Sequence, residues 1–245
     1  QIVVEDPPCH YPIRSHAGDY SVKEVNLPGR FDVEQGQLIS LVGPRGGGKS
    51  TLLKAIGGAL LPQVDNRSGF FMPAHLRVLH ISSEPMFLKG TLVENLTFGV
   101  QHNDPDGHIQ RIADICRRLK LETLLETLES KDELAWGEVM SLSQKHLLSI
   151  ARALIGNPEV LVMHKPTLAF DEGLAGAIIQ LLKEFVEKRG IAQDHESLYR
   201  RRSRTCIITS HTRVGVELAD KVFHISTEQG IQEQHKDEVT QEMLQ

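Results

Sequence analysis

Hydrophobic positions along this chain follow two alternating patterns. Short apolar runs, which are typical of buried strands, are separated by segments in which apolar residues recur at helical spacing. The predicted strands are 38–42, 76–81, 160–163, 206–209 and 222–225. The predicted helices are 51–60, 109–128, 147–155 and 175–186. This order favours an α/β fold, in which helices cover the faces of a sheet.

Composition excludes several classes of protein. A chain of 245 residues, 40% hydrophobic and 24% charged, is long enough to bury one sizeable core or two small packed lobes. Its formal net charge of -5 argues against a nucleic-acid-binding surface over the whole molecule. The cysteines, Cys9, Cys116 and Cys206, are far apart and form no CxxC pair. We therefore expect neither a disulfide framework nor a zinc site.

Signals for membrane insertion are also missing from the sequence. No run approaches the roughly 18 apolar residues that a membrane-spanning helix needs. Residues 1–6 lack the basic and apolar regions of a signal peptide. Because the sequence starts with Gln1 instead of Met, we expect it to be a fragment of a longer chain. Any role at a membrane is expected from the aqueous side.

The strongest chemical signal follows the first predicted strand. Residues 43–50 match G-x-x-x-x-G-K-[ST] between a predicted strand and a predicted helix. Glycines allow backbone N–H groups to turn inward around phosphate oxygens, and the positive end of the next helix points at the same charge. We expect Lys49 to reach the β- and γ-phosphates and the Ser50 hydroxyl to ligate Mg²⁺. The predicted nucleotide-binding residues of this loop are Gly43, Pro44, Arg45, Gly46, Gly47, Gly48, Lys49, Ser50 and Thr51.

This phosphate loop predicts binding of a nucleoside triphosphate but does not choose among kinases, GTPases and transport ATPases. A GTPase should also carry an N-K-x-D motif for guanine, and the sequence has none. The choice therefore depends on the second half of the chain.

Motifs in the second half resemble the ATP-binding cassette family. In that family a signature LSGGQ begins a helix that ends in ARAL, and an Asn-Pro turn, an apolar strand, Asp-Glu-Pro-Thr and a D-loop follow. The matching segments are 149–154 (SIARAL), 157–158 (NP), 160–163 (VLVM) and 166–167 (PT). The spacing from Gln144 to Asp171 matches without a gap.

Two further segments carry the same resemblance. Residues 205–211 look like the strand that ends at the family's switch histidine, here His211. Residues 84–99 contain G-T-x-x-E-N, which is similar to the stretch after the Q-loop of exporter-type cassettes. The resemblance covers about residues 2 to 234.

The resemblance implies a fold, ligands and partners. The implied fold is an α/β P-loop NTPase with a mixed sheet core, a small antiparallel β region and a helical subdomain at about 88–156. The whole chain, 1–245, would be one nucleotide-binding domain that binds ATP and Mg²⁺. Its partners would be a second cassette, bound head to tail, and transmembrane domains of an integral membrane transporter, at the cytosolic face.

Three departures from the family pattern bear on hydrolysis. The Q-loop glutamine falls on Ser83, the Walker B aspartate on His164 and the glutamate that polarises the attacking water on Lys165. An ammonium group is only a donor, so Lys165 cannot accept a proton at neutral pH unless it is strongly desolvated. Loss of a general base typically costs about 10²–10⁴ in rate, or roughly 3–5 kcal/mol of barrier. We therefore expect ATP hydrolysis to be impaired.

The signature motif has two possible registers. Aligning Leu142 and Ser143 with the family's Leu-Ser would leave the helix two residues short, whereas aligning 140–144 with LSGGQ keeps every downstream spacing. In the second register, which we prefer, Ser141 and Gln144 are retained. Leu142 and Ser143 then replace the glycines that approach the γ-phosphate of the opposing cassette, and the added bulk predicts a weakened composite site.

The remaining candidate residues each have an ordinary structural alternative. His211 either donates to the γ-phosphate as the switch histidine or is a histidine at the end of a strand. Tyr11 either stacks on adenine or has a packing role, and Tyr20 competes for the stacking position. Asp171 matches the D-loop aspartate, but it is equally suited to be a helix N-cap.

A basic segment at 190–204 interrupts the order of elements. It contains four arginines, at positions 200, 201, 202 and 204. It is predicted to be a solvated surface loop, with contact to anionic lipid or a partner as the alternative.

Three functions remain open from the sequence. The first, which we favour, is a degenerate cassette that binds ATP, with any turnover depending on a glutamate of the partner cassette. The second is an active ATPase with a substitute base such as His164, since histidine's ordinary pKa of about 6.5 suits that role. The third is a regulatory or structural module without hydrolysis. The positive charge at Lys165 is either drift after loss of hydrolysis or a replacement for Mg²⁺ beside the phosphates.

Overall fold

The computed structural model describes residues 1–14, 20–61, 69–128, 130 and 132–244. Within these ranges the side chains of 8–14, 20–24, 195 and 197 are outside the description. The strands are β1 (Ile2–Glu5), β2 (Pro8–Arg14), β3 (Tyr20–Asn26), β4 (Arg30–Val33), β5 (Leu38–Val42), β6 (Gly69–Phe71), β7 (Val78–Ile81), β8 (Lys89–Gly90), β9 (Leu134–Ala135), β10 (Val160–Met163), β11 (Thr205–Thr209), β12 (Lys221–Ser226) and β13 (Gly230–Gln234). The α-helices are α1 (Lys49–Ile56), α2 (Leu92–Leu96), α3 (Ile109–Arg118), α4 (Trp136–Val139), α5 (Leu142–Gly156), α6 (Glu172–Glu187) and α7 (Arg213–Glu217).

The central sheet has six strands in the order β13-β12-β5-β11-β10-β7. The pairs from β12 to β7 are parallel, and β13 pairs antiparallel with β12 at one edge. Strands β5, β10 and β11 are buried along their whole length. Predominantly apolar strands that are buried throughout are typical of parallel sheets with both faces covered.

The N-terminal part contributes separate antiparallel strands. β1 lies between β4 and β6 in a three-stranded sheet, and β2 pairs with β3 in a two-stranded ribbon. The expected small antiparallel β region is therefore present beside the mixed sheet.

Alternate residues of the central strands divide the core into two layers. In β10, Leu161 and Met163 pack into the layer formed with α3, α5 and α6. Val160 and Val162 pack into the other layer, with α1 and the strands β1 and β4. This division follows from the two-residue side-chain period of a strand. Cys116 and Cys206 are free and buried in the first layer.

The end of α5 is held by a buried guanidinium. Arg111, on α3, donates to the backbone oxygens of Leu154 and Ile155 at 2.8 and 2.9 Å. It also donates to the backbone oxygens of Asp106 and Ile191 at 2.7 and 2.9 Å. The carbonyls in the last turn of a helix have no partner within the helix, so this side chain satisfies acceptors that burial would leave unpaired.

The basic segment is only partly solvated. Arg204 is buried, donates to Asn157 Oδ1 at 2.9 Å and lies 3.5 Å from the Glu159 carboxylate. The prediction of a solvated loop is therefore wrong for Arg204. This residue directly precedes β11, which begins beside the start of β10, and its guanidinium is buried there against Asn157 and Glu159. Arg202 is exposed and donates to the backbone oxygen of His75.

Across the described part of the chain, every α-helix is too short or too polar to cross a bilayer.

We expect Arg111→Met to lower the free energy of unfolding by about 3 kcal/mol, because four carbonyl oxygens, three of them on buried residues, lose a charged donor. Urea unfolding followed by circular dichroism measures the change. Arg117→Met is the matched control, since Arg117 is an exposed residue of the same helix, paired with Asp114. Its effect should stay within about 0.5 kcal/mol. Equal effects of the two substitutions would contradict the role given to Arg111.

Candidate functional site: a basic cleft around the phosphate loop

The phosphate loop joins the carboxyl end of β5 to the start of α1 and is pressed against β12. Gly43 has φ +131°, and a Cβ there would lie 2.3 Å from the backbone oxygen of Ile225. Gly48, the N-cap of α1, has φ +100°, and a Cβ there would lie 2.6 Å from the Leu27 side chain. Both positions therefore require glycine for conformation and for space.

Lys49 is buried at the first position of α1. Its Nζ donates to the backbone oxygens of Gly43 and, at 2.8 Å, Pro44. Burial, with a smaller contribution from Lys165, lowers the pKa of Lys49 to about 8. The ammonium thus lies across the loop, held by neutral carbonyls.

A cleft of about 250 Å³ opens over this loop. It is lined by Val25, Arg45, Gly46, Gly47, Gly48, Lys49, Ser50, Thr51, His164 and Lys165. The structure therefore brings residues 45–51 together with His164 and Lys165, which the chain separates by more than a hundred positions. Of the remaining loop residues, Gly43 is buried and Pro44 is exposed.

His164 and Lys165 follow the carboxyl end of β10, beside the loop. Burial is the main cause that lowers the pKa of His164 to about 4, and the nearby charges of Lys165 and Lys49 add to it. Its Nδ1 lies 3.2 Å from Thr209 Oγ1. Lys165 has φ +48°, and its backbone N–H donates to the same hydroxyl at 2.6 Å. The end of β11 thus fixes both residues through Thr209.

The titratable neighbours of the cleft are basic as well. Burial, and then Lys165, lowers the pKa of His211, which is half-buried. Burial, and then Lys49, lowers the pKa of His224. Each of these two rings has a buried Nδ1 without a hydrogen-bond partner in the described structure. Neutral imidazoles are favoured where two ammonium groups already concentrate positive charge.

The predicted signature residues form the start of α5. Ser141 is the N-cap and accepts from the backbone N–H of Gln144 at 3.3 Å, while Gln144 Oε1 accepts from the backbone N–H of Ser141 at 3.0 Å. This reciprocal pair is a capping box, which fixes where the helix begins. Leu142 is 64% exposed, so its side chain projects from the helix start.

Other predicted residues lie outside the cleft lining. Ser83 is exposed, and Asp171 is the N-cap of α6, where it accepts from the backbone N–H of Leu174 at 3.0 Å. His211 does not line the cleft, but the charge of Lys165 adds to the effect of burial in lowering its pKa. Tyr11 lies on β2, opposite Lys23 of β3, but its side chain and that of Tyr20 are outside the described side chains.

Two residues that the sequence did not single out contact predicted site residues. Thr209 holds His164 and Lys165, and its signal was its place just before the Ser-His pair at 210–211. His146 joins two elements, because its Nδ1 lies 2.8 Å from the backbone oxygen of Leu142 and its Nε2 lies 3.2 Å from that of Ser83. No sequence pattern indicates that contact, since it depends on the packing of α5 beside the end of β7.

A family model described as ABC transporter matches residues 28–168, more than half of the chain. The chain belongs to the ABC transporter family. The predicted family is therefore confirmed, and the chain is a transport-related nucleotide-binding cassette.

Curated relatives of this cassette include importers and proteins of other description. An ABC transporter of Fusarium pseudograminearum is 30% identical over 219 residues, which cover 83% of this chain and 15% of that protein. The spermidine/putrescine import ATP-binding protein PotA of Pseudomonas fluorescens is 30% identical over 186 residues, which cover 72% of this chain and 48% of that protein. The cassette thus spans less than half the length of either relative.

A solved structure shares the fold. It is a dimeric, post-hydrolysis state of an ATP-binding cassette bound to ADP and Pi, with a TM-score of 0.65 and 19% identity. The match covers 96% of this chain and 99% of that one. It confirms the predicted fold class, an α/β cassette with a mixed sheet, an antiparallel region and a helical part.

Mg²⁺ accompanies ATP in this family, but the side chains of the cleft do not fit a carboxylate-supported magnesium site. Mg²⁺ in nucleotide sites is usually held by one or two carboxylates together with phosphate oxygens. Of the described side chains that line the cleft, none is Asp or Glu, and the hydroxyls of Ser50 and Thr51 are the oxygen donors. No cluster of three or more His, Cys, Asp or Glu suited to a metal occurs among the described residues.

The depressed pKa of His164 predicts a loss of stability in acid. The folded state resists protonating this ring, whereas the unfolded chain binds a proton at about pH 6.5. The contribution is therefore complete above about pH 6.5 and falls as the pH drops towards the folded value of about 4. We expect His164→Asn to reduce the stability difference between pH 7 and pH 5 by on the order of 1 kcal/mol, allowing for partial exposure.

Thermal unfolding at the two pH values measures this effect. His102→Asn is the control, because His102 is exposed and outside the cleft. A His164→Asn protein with the full acid sensitivity of the parent would contradict this prediction.

Proposed function

We propose that this cassette binds ATP in the cleft over residues 43–51 and couples that binding to transport, while its own residues do not support efficient hydrolysis. One observation carries the proposal: three glycines and Lys49 of the phosphate loop line the same cleft as His164 and Lys165. Among its described residues, the cleft thus keeps those that bind phosphate but lacks the acids that hydrolysis needs.

Binding is supported by the loop itself. Residues Gly46, Gly47 and Gly48 line the cleft together with Lys49 and Ser50, at the N-terminus of an eight-residue helix. Backbone N–H groups at such a terminus attract phosphate oxygens, and Lys49 adds a full positive charge. A phosphate that enters would offer Lys49 charged acceptors in place of its present carbonyl partners.

Weak hydrolysis is supported by the chemistry of the two residues after β10. The Lys165 ammonium has no lone pair with which to take a proton from water. His164 has a pKa of about 4, far below neutral pH, and its Nδ1 already faces the Thr209 hydroxyl. A general base works best with a pKa near the operating pH, so this imidazole is a poor substitute. These observations favour a degenerate cassette over an active ATPase that uses His164.

A second cassette is the proposed first partner. The solved relative is dimeric, and the ends of this chain's elements leave apolar side chains uncovered: Leu142 at the start of α5 and Leu168 before α6 are 64% and 60% exposed. Ser141, Gln144 and Asp171 lie at the same two helix starts. We assign these residues to a head-to-tail interface, in which Leu142 limits approach to the partner's phosphate.

Transmembrane domains are the proposed second partner, at the cytosolic face of a membrane. A groove of about 370 Å³ runs between β7 and α5, and Met86 and Phe98 on its walls are 82% and 61% exposed. One relative, an ABC transporter, is much longer than this chain, which covers 15% of it. We regard 1–245 as one cassette with its helical part at about 88–156. The exporter-type direction stays a prediction from G-T-x-x-E-N alone.

Nucleotide-dependent stabilisation tests the binding half of the proposal. ATP with Mg²⁺ at about 100 times its Kd should stabilise the protein by roughly 2.7 kcal/mol in thermal unfolding. Lys49→Ala should abolish the shift, because the charge on the loop is lost. Lys54→Ala, an exposed change on the same helix, should leave it intact. A parent protein with no shift would instead favour a regulatory or structural module without nucleotide.

Restoring the acids tests the hydrolysis half. We expect the double substitution His164→Asp with Lys165→Glu to raise ATP turnover by about 10² or more, since a general base typically contributes 10²–10⁴. Phosphate release measures it, with Lys120→Glu, an exposed position outside the cleft, as the charge control. Fast turnover by the parent protein, unchanged by the double substitution, would favour an active ATPase with another base.

A further inference from the structure

The described part of the cleft carries positive charge without a compensating acid. Its ionisable side chains are Arg45, Lys49, His164 and Lys165, and its lining contains neither Asp nor Glu. The electrostatic neighbours of His164 are likewise basic: Lys165, Lys49, His80 and Lys54. An anion that enters therefore meets only cations and neutral dipoles.

The Lys165 ammonium is available to such an anion. Among the described residues it forms no ion pair with a carboxylate, although Lys183, Lys188 and Lys221 all do. Its side chain is half-buried and lines the same cleft as the Lys49 ammonium. The two positive charges in this cleft repel each other, and a polyanion bound between them would relieve that repulsion.

The backbone of Lys165 is held in place without the ammonium. Its positive φ is uncommon for a residue with a Cβ, and the Thr209 hydroxyl fixes it by accepting its N–H. Because the backbone is anchored by β11, the side chain leaves from a defined point on the rim of the cleft. The anchored backbone of Lys165 therefore places a positive charge at a defined position in the phosphate site.

A divalent cation normally neutralises part of the charge of a nucleoside triphosphate while carboxylates hold that cation. In this cleft the carboxylates are replaced by an uncharged imidazole and an ammonium. A cation would meet repulsion from Lys49 and Lys165, whereas bare phosphate oxygens would meet attraction from both.

We propose that the cleft binds its nucleoside triphosphate as the metal-free polyanion, with the Lys165 ammonium in the role that a bound Mg²⁺ has in carboxylate-supported sites. This inference rests on the proposed function, because it presupposes that the loop holds ATP. It deepens that proposal by naming the charge state of the ligand.

Calorimetric titration of ATP into the parent protein, once with excess Mg²⁺ and once with EDTA, tests the inference. We expect the two dissociation constants to agree within about threefold, or to be lower with EDTA, because no carboxylate recruits the metal. The double substitution His164→Asp with Lys165→Glu should reverse this behaviour. EDTA should then weaken binding by about tenfold or more, because acids hold the metal and repel bare phosphates.

Charge-removing variants isolate the part played by Lys165. Lys165→Gln keeps most of the side-chain length, and Lys165→Asn suits the positive φ, so at least one of them should preserve the fold. Each should weaken ATP binding in EDTA by about tenfold, the loss of one charge-assisted contact, while Lys165→Arg should retain affinity. Lys120→Gln is the control and should bind as the parent does. Trp136 fluorescence checks that each variant is folded, since Trp136 is buried.

The outcomes separate the two levels of the argument. Absence of binding both with Mg²⁺ and with EDTA would overturn the proposed function and this inference together. Binding with Mg²⁺ that collapses in EDTA would overturn the inference and leave the proposed function standing. Metal-independent binding that is unaffected in both Lys165→Gln and Lys165→Asn would also overturn it, because the charge would then come from elsewhere. Metal-independent binding that depends on the Lys165 charge supports it.

Discussion

The contact between the phosphate loop and β12 is the constraint on which the site depends. The backbone of Ile225 lies so close to Gly43 that no side chain fits between them. Strand β12 occupies that place because it pairs in parallel with β5, and β11 pairs with the other edge of β5. The same strand order sets Thr209, at the end of β11, beside the two residues that follow β10. The geometry of the cleft is thus a consequence of sheet order, and its chemistry is a consequence of which residues occupy the strand ends.

Around the cleft, the contacts that fix the backbone are present, whereas the side chains at 164 and 165 are not acids. The capping box at Ser141, the N-cap at Asp171 and the anchor at Thr209 all hold their elements as a working site would need. The residues after β10 differ from the acids of the family pattern: position 164 carries an uncharged imidazole and position 165 an ammonium. Fold stability and catalytic competence therefore rest on separate residues here, so one can change while the other remains.

The sequence predicted the centre of the fold well and its margins poorly. The fully buried strands β5 and β10 were located to the residue, because both of their faces are buried and apolar residues dominate the run. Helix α5 starts five residues earlier than predicted, since its first turn is exposed and is fixed by the capping box instead of by apolar periodicity. Strands β1 to β4 were missed. The half-buried pattern of β1 and β4 mixes polar residues with apolar ones, and the pairing of all four strands depends on contacts that no local pattern contains.

The candidate site was predictable where a motif fixes it and unpredictable where packing does. Residues 45–51 follow one pattern, and His164 and Lys165 were found because their spacing to neighbouring motifs was kept. Arg204 was misjudged because a cluster of arginines reads as solvated, while burial beside Glu159 is decided by how β10 and β11 meet. The absence of acids from the described cleft lining could be read only after folding.

The imidazole of His146 has a consequence for how α5 is attached to the sheet. Both of its ring nitrogens face carbonyl oxygens, one at the start of α5 and one at Ser83 beyond β7. A neutral imidazole carries a single N–H, so it can donate to only one of these oxygens at a time. In its neutral form the ring therefore donates to Ser83, and so links α5 to the end of β7, in only one of its two tautomers, whereas the other tautomer donates within α5 to Leu142.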